Sequence, residues 1–88
     1  MKARELERIF KAFANARRIA ILSYLKRRRA ATVGEIAEHI RLSFKSTSKH
    51  LIILRSAGIV EFDQSGLEMH YRIASELMSE ARTLLSVA

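Results

Sequence analysis

The sequence predicts a mainly α fold that carries one small β-hairpin. Three observations predict it. Apolar residues recur at helical spacing along most of the chain. Asparagine, threonine, serine and glycine stand where helices would start and stop, and proline is absent. One stretch, residues 59–73, instead alternates β-branched and aromatic residues around a polar turn.

Leu6, Ile9, Phe10 and Phe13 lie at i, i+3, i+4 and i+7, the stripe of a first helix. Asn15 breaks that pattern and suits the N-cap of a second helix, whose apolar line is Ile19, Leu22 and Leu25. This helix ends in KRRR, residues 26–29. Cations there complement the partial negative charge of a helix C-terminus, and phosphate contact is the alternative use. TVGE, residues 32–35, fits a capping box with Thr32 at N-cap and Glu35 at N3. A short third helix follows with Ile36 and Ile40 inward. Ser43 caps a fourth helix over residues 44–57, and Gly58 suits its C′ position. IVEF (59–62) and MHYRI (69–73) read as strands, with DQSG (63–66) between them. The last segment, SELMSEARTLLSVA, reads as a helix with Ser75 as cap and Leu77, Ala81, Leu84 and Leu85 on one side. The order is α1-α2-α3-α4-β-hairpin-α5. A short helix, a tight turn and a longer helix make a helix-turn-helix, and the hairpin after it makes the motif winged.

At 88 residues the chain fits a single domain, residues 1–88, with a modest core. No cysteine is present, which excludes disulfides, thiolate metal sites and thiol redox sensing. A core this small, with no disulfide, favours burial against a second copy. Residues 1–14 and 75–88 carry the apolar stripes expected to make a homodimer. The interface residues would be Leu6, Ile9, Phe10, Phe13, Leu77, Ala81, Leu84 and Leu85, although the same stripes also suit packing within one chain. The first residues are charged and lack the apolar stretch of a secretory signal. No apolar run is long enough to span a membrane, and the expected location is cytoplasmic.

The formal net charge is +7, and it is unevenly placed. Residues 1–50 hold 13 Lys and Arg against 4 Glu, whereas residues 51–88 hold 3 Arg against 5 Asp and Glu. A basic half suits a polyanionic partner, because neutralised phosphates release counterions. A solvated basic face is the plainer reading of the same charge.

The fourth helix begins SFKSTSKHL, residues 43–51, and its start is unusually polar. At 100° per residue, Thr47, Leu51 and Leu54 define an inward face. Lys45, Lys49, Ile52 and Ser56 fall opposite, with Ser46 and Ile53 at the flank. Lys45 and Lys49 are like charges at i, i+4, a mild cost that a nearby polyanion removes. In a helix-turn-helix this end enters the DNA major groove, where short hydroxyls face base edges and cations reach guanine or phosphate. Lys45, Ser46 and Lys49 meet that need. Ser48 and His50 lie to the sides, suited to sugar or phosphate.

Four stretches in register, AFANARRIAIL (12–22), TVGEIAEHI (32–40), LSFKSTSKHLIILRSAGIVE (42–61) and SGLEMHYRI (65–73), resemble the ArsR-type winged-helix transcriptional repressors. The most specific part is SKHLIIL, followed by alanine-glycine and a hairpin that holds Tyr71. The resemblance implies a homodimer on a two-fold operator in double-stranded DNA, a recognition helix over residues 43–57 and a wing over about 61–70. It places Lys45, Ser46, Thr47, Ser48, Lys49 and His50 in the DNA-reading segment. Gln64 and Ser65 are the wing's polar candidates. Arg18 matches an arginine near the start of the family's second helix, where a structural role competes with DNA contact.

The departures from the family are specific. Phe44 stands where glutamine is frequent, and packing under the turn is expected of it, with a thymine methyl as the alternative contact. Leu67 and Glu68 replace the basic residues common in the wing, and Ile52 replaces a common polar residue. Thr32 and Gly34 stand where metal-responsive members carry cysteines, and residues 75–88 hold no histidine. His39, His50 and His70 sit on three different elements. No metal and no cofactor are therefore expected. An enzyme is not expected either: there is no cysteine nucleophile, glycine-rich phosphate loop or clustered Ser, His and Asp. The sequence favours a specific DNA-binding regulator. A general or architectural DNA binder and a winged-helix protein-interaction module remain the alternatives.

Overall fold

The computed structural model describes residues 2–88. Within them, five helices and three strands run in the order α1 (Lys2–Phe13), α2 (Ala16–Arg27), β1 (Ala31–Thr32), α3 (Val33–Ile40), α4 (Phe44–Ser56), β2 (Val60–Ser65), β3 (Glu68–Ile73) and α5 (Ser79–Ser86). The helix order and the hairpin are those expected.

Local chemistry sets the helix starts. Asn15 Oδ1 accepts the Arg18 N–H at 3.1 Å. Thr32 Oγ1 accepts the Glu35 N–H at 3.2 Å, and Glu35 Oε1 accepts the Thr32 N–H at 2.8 Å, a complete capping box. Ser43 Oγ accepts the Ser46 N–H at 3.1 Å. Each cap satisfies a backbone donor that the helix itself cannot, worth about 1 kcal/mol. Arg41 ends α3 in the left-handed region, at φ 57°. The Arg17 guanidinium covers that end by donating to the Ile40 and Arg41 carbonyls at 2.9 and 3.3 Å. Gly58, at φ 75°, lets the chain leave α4 without a Cβ clash.

The α5 expectation needs correction. Ser75 does not cap that helix. Residues 75–78 are a non-helical connection that packs Leu77 and Met78 against the core, and α5 starts at Ser79 with no side-chain cap bond. The hairpin turn is also shorter than expected. Asp63, Gln64 and Ser65 lie in β2, and Ser65 pairs directly with Glu68. Gly66 and Leu67 alone make the turn, with positive φ at Gly66 and not at Leu67. Glycine in the first position suits a two-residue type II′ turn. Cross-strand ion pairs reach further along the ladder: Arg72 on β3 meets Asp63 and Glu61 on β2.

β1 is unexpected from sequence. Its two residues pair antiparallel with β3, Ala31 with Tyr71 and Thr32 with His70, so the sheet order is β1-β3-β2. The core lies between this sheet and the helices, built from Ile21, Leu22, Ile36, Leu51, Leu54, Ile59 and Val60, all essentially inaccessible. In α2 the inward line is Ile21, Leu22, Tyr24 and Leu25, and Ile19 is exposed rather than buried. The packing of α2 against α1, α3, α4 and β3 fixes a helix phase that a three-residue apolar line could not.

The apolar stripes of α1 and α5 are partly consumed within one chain, because the two helices pack on each other. Ile9, Phe13 and Ala81 are core residues and present almost no surface to a partner. Leu6, Leu77, Leu84 and Leu85 are half-buried, and Phe10 stays 51% exposed.

Candidate nucleic-acid interface

Helix α4 stands on Thr47, Leu51 and Leu54, all 0% exposed. This fixes its roll. Lys45, Lys49, Ile52 and Ser56 consequently face solvent, with Ser46 and Ser48 half-buried on either flank. Thr47 must be removed from the DNA-reading set. Its side chain points into the core, and its hydroxyl finds no hydrogen-bond partner among the described residues.

His50 is committed to the scaffold. Its Nδ1 lies 3.1 Å from Arg18 Nη1. The same guanidinium donates to the Ala12 carbonyl at 2.8 Å and the Lys11 carbonyl at 3.0 Å, the last turn of α1. Arg18 thus holds the C-terminus of α1 against α4. Burial, then the charges of Arg18 and Arg17, lowers the His50 pKa from its ordinary 6.5. A neutral ring with its Nδ1 lone pair free is what Arg18 needs as an acceptor.

The KRRR run is also tied inward. Lys26 Nζ donates to the Leu85 carbonyl at 2.8 Å, at the end of α5. Arg27 approaches His39, which stacks on Tyr24 with ring centroids 4.1 Å apart. Arg28 donates to the Tyr24 hydroxyl at 2.9 Å and lies 3.7 Å from Glu35. Contacts inside the fold therefore engage three of these four cations, although all four remain exposed. The hydrogen bond from the Thr32 N–H lowers the Glu35 pKa and keeps that carboxylate charged.

The wing carries Gln64 and Ser65 exposed on β2, with the Gln64 amide 3.4 Å from the Gly66 carbonyl. Its arginine is neutralised. Arg72 Nε donates to Asp63 Oδ2 at 2.8 Å, and Nη1 pairs with Glu61. The Arg72 hydrogen bond lowers the Asp63 pKa. Glu68, which lies 3.5 Å from His70, adds a further acid beside the turn. The outer face of α4 is cationic, whereas the wing beside it is not.

Phe44 does not pack under the turn, contrary to expectation. It is 63% exposed on the first turn of α4. The inward positions are already filled by Thr47, Leu51 and Leu54, and Phe44 falls at their edge on the side nearer the wing. There it lines a shallow trough with Thr32, Val33, Gly34, Leu67, Glu68 and Met69. Among the described residues, no three His, Asp or Glu side chains form a set that could hold a metal ion. No helix among them is long and apolar enough to cross a membrane.

This architecture, a capped short helix, a left-handed turn, a second helix with a polar outer face and a hairpin beside it, defines a winged helix-turn-helix protein. The family model for bacterial regulatory proteins of the arsR family matches residues 15–61, and the chain belongs to that family. It is 35% identical over 83 residues to the HTH-type transcriptional regulator Rv0324 of Mycobacterium tuberculosis, covering 94% of this chain and 36% of that protein. It is 32% identical over 76 residues to the transcriptional repressor SdpR of Bacillus subtilis, covering 86% of this chain and 83% of SdpR. The chain thus spans about a third of the first relative and most of the second. Among solved structures, the homodimeric winged helix-turn-helix DNA-binding domain of Mb0332 from Mycobacterium bovis superposes with a TM-score of 0.83 at 30% identity, over 97% of this chain and 75% of that one. HlyU from Vibrio cholerae gives 0.82 at 28% identity, over 98% and 89%. This membership makes the chain a regulatory-protein domain of the arsR family.

Proposed function

We propose that this chain is a sequence-specific, dimeric DNA-binding regulator that represses transcription by occupying its operator in the cytoplasm. The observation that carries the reading is the outer face of α4. Three core anchors lock the helix, and the side they leave free presents Lys45, Ser46 and Lys49 together. The cations supply phosphate or guanine contact, and the serine can face any base edge. The N-terminal half of the chain adds a positive field that attracts DNA at long range. In a two-fold dimer, two such helices enter major grooves about 34 Å apart and block polymerase. The SdpR relative, described as a repressor, supports the direction of regulation.

The dimer reading rests on Phe10, exposed on α1, on half-buried Leu6 one turn before it, and on half-buried Leu77, Leu84 and Leu85 near the C-terminal helix. The homodimeric Mb0332 domain supports it.

Selection from a random DNA pool tests binding, specificity and symmetry together. The expected product is a two-fold sequence bound far more tightly than scrambled DNA at physiological salt. Equal affinity for both would replace the specific regulator by a general DNA binder. The acid-neutralised Arg72 favours that second reading, because it leaves the lysines of α4 as the main phosphate contacts. No binding even at low salt would leave a protein-interaction module.

A further inference from the structure

We infer that Phe44 is a specificity-determining residue, reading the C5-methyl group of a thymine at the edge of each half-site. The inference rests on the DNA-binding reading above and names part of what that surface recognises.

Phe44 follows the N-cap Ser43 directly and precedes Lys45, so it belongs to the helix end that would enter the major groove. A phenyl ring 63% exposed on a small domain loses the stabilisation that burial would give. It is also unavailable to the core, since Thr47, Leu51 and Leu54 complete the inward face. Its neighbours on the wing side are apolar too. Leu67 is fully exposed at the hairpin tip, and Val33 and Met69 line the trough between them. At the N-terminal end of α4 the surface therefore passes from Lys45 through Phe44 to an apolar edge beside the wing.

The chemistry of the occupant follows from that continuity. Base edges in the major groove offer hydrogen-bonding groups and one apolar group, the thymine methyl. Phe44 has no donor or acceptor, so a base beside it is distinguished by shape and methyl contact alone. Lys45, the next residue on the same exposed helix end, disfavours a purely apolar protein partner, which would leave its cation desolvated. DNA satisfies both at once, with phosphate for the lysine and a methyl for the ring. With its arginine held by Asp63 and Glu61, the wing contributes little phosphate contact of its own.

The test uses the full chain and the DNA selected from a random pool. Each thymine of the selected sequence is replaced in turn by deoxyuridine, which removes only the methyl group. In the native protein, one thymine per half-site is expected to show a loss of about fourfold, the affinity equivalent of one buried methyl group. In Phe44→Gln that loss disappears, and reselection no longer enriches thymine there. Circular dichroism on Phe44→Gln checks that the exposed substitution leaves the fold intact. Phe44→Leu, still apolar, is expected to keep the methyl dependence. Tight, selective binding with no uracil-sensitive thymine, or with the same sensitivity in Phe44→Gln, overturns the inference and leaves the regulator reading standing. Failure of the native chain to select any DNA overturns both.

Discussion

Replacing Thr47 by valine separates two readings of one residue. Family position places Thr47 among the DNA-reading residues, whereas its 0% exposure places it in the core. Valine keeps the β-branched shape and removes the hydroxyl. That hydroxyl is buried with no partner among the described residues, and leaving such a group unpaired costs about 1–3 kcal/mol. Threonine and valine differ little in helix propensity, so the lost penalty dominates. Thr47→Val should therefore stabilise the chain by about 1 kcal/mol or slightly more, with the upper part of the range offset by imperfect packing. For a domain of this size that is a rise in melting temperature of about 4–8 °C. Far-UV circular dichroism at matched protomer concentration measures it, since melting of a dimer depends on concentration. Affinity for the selected DNA should be unchanged. A lower melting temperature would mean that the hydroxyl has a partner. A loss of affinity would mean that Thr47 reaches the DNA.

Lys45→Ala and Lys49→Ala should weaken binding across all sequences and each reduce the salt slope by about 1, whereas Ser46→Ala should shift sequence preference at an unchanged slope; titrations at several salt concentrations distinguish these. Arg18→Met should destabilise the chain by about 2 kcal/mol, because a half-buried guanidinium with three partners is lost; denaturant unfolding reads this. The lowered His50 pKa means that the folded state holds fewer protons than the unfolded chain below the ordinary value of 6.5. Its contribution is therefore present above pH 6.5 and is lost as pH falls through the lowered folded value, a dependence that His50→Gln should flatten in melts across that range. Phe10→Asp should yield monomers by size exclusion with light scattering, and dimers that persist would remove Phe10 from the interface.

The parts of the fold legible in the sequence were those set by neighbours in the chain. Asn15, Thr32 and Ser43 cap as expected because an N-cap needs only a side-chain oxygen and the next turn's N–H groups. The inward line of α4 was legible because periodicity alone defines it. What the sequence hid depends on distant partners. β1 exists because β3 offers it an edge, and two residues carry no pattern of their own. The hairpin turn moved because cross-strand pairing with Arg72 draws Asp63 into the ladder. Ser75 is a good cap with no helix to cap, because Leu77 and Met78 are drawn to the core before α5 begins. Periodicity marks Ile9, Phe13 and Ala81 as apolar but cannot say whether the same chain or a second copy covers them. The outward placement of Lys45 and Lys49 on α4, with Ser46 at the flank, could be read from sequence. The tie between His50 and Arg18 could not, as its members lie 32 positions apart.

Thr32 is at once the last residue of β1, paired with His70 in the wing, and the N-cap of α3. One residue therefore belongs to two parts often treated as separable. A hairpin borrowed from another protein would dock only if its β3 kept this register, since a slip of one residue would exchange the faces of β3 and turn Tyr71 out of the core. The wing of this chain is a poor cassette. Engineers seeking new sequence preferences would do better to rewrite the outer face of α4, where side chains change without moving a joint.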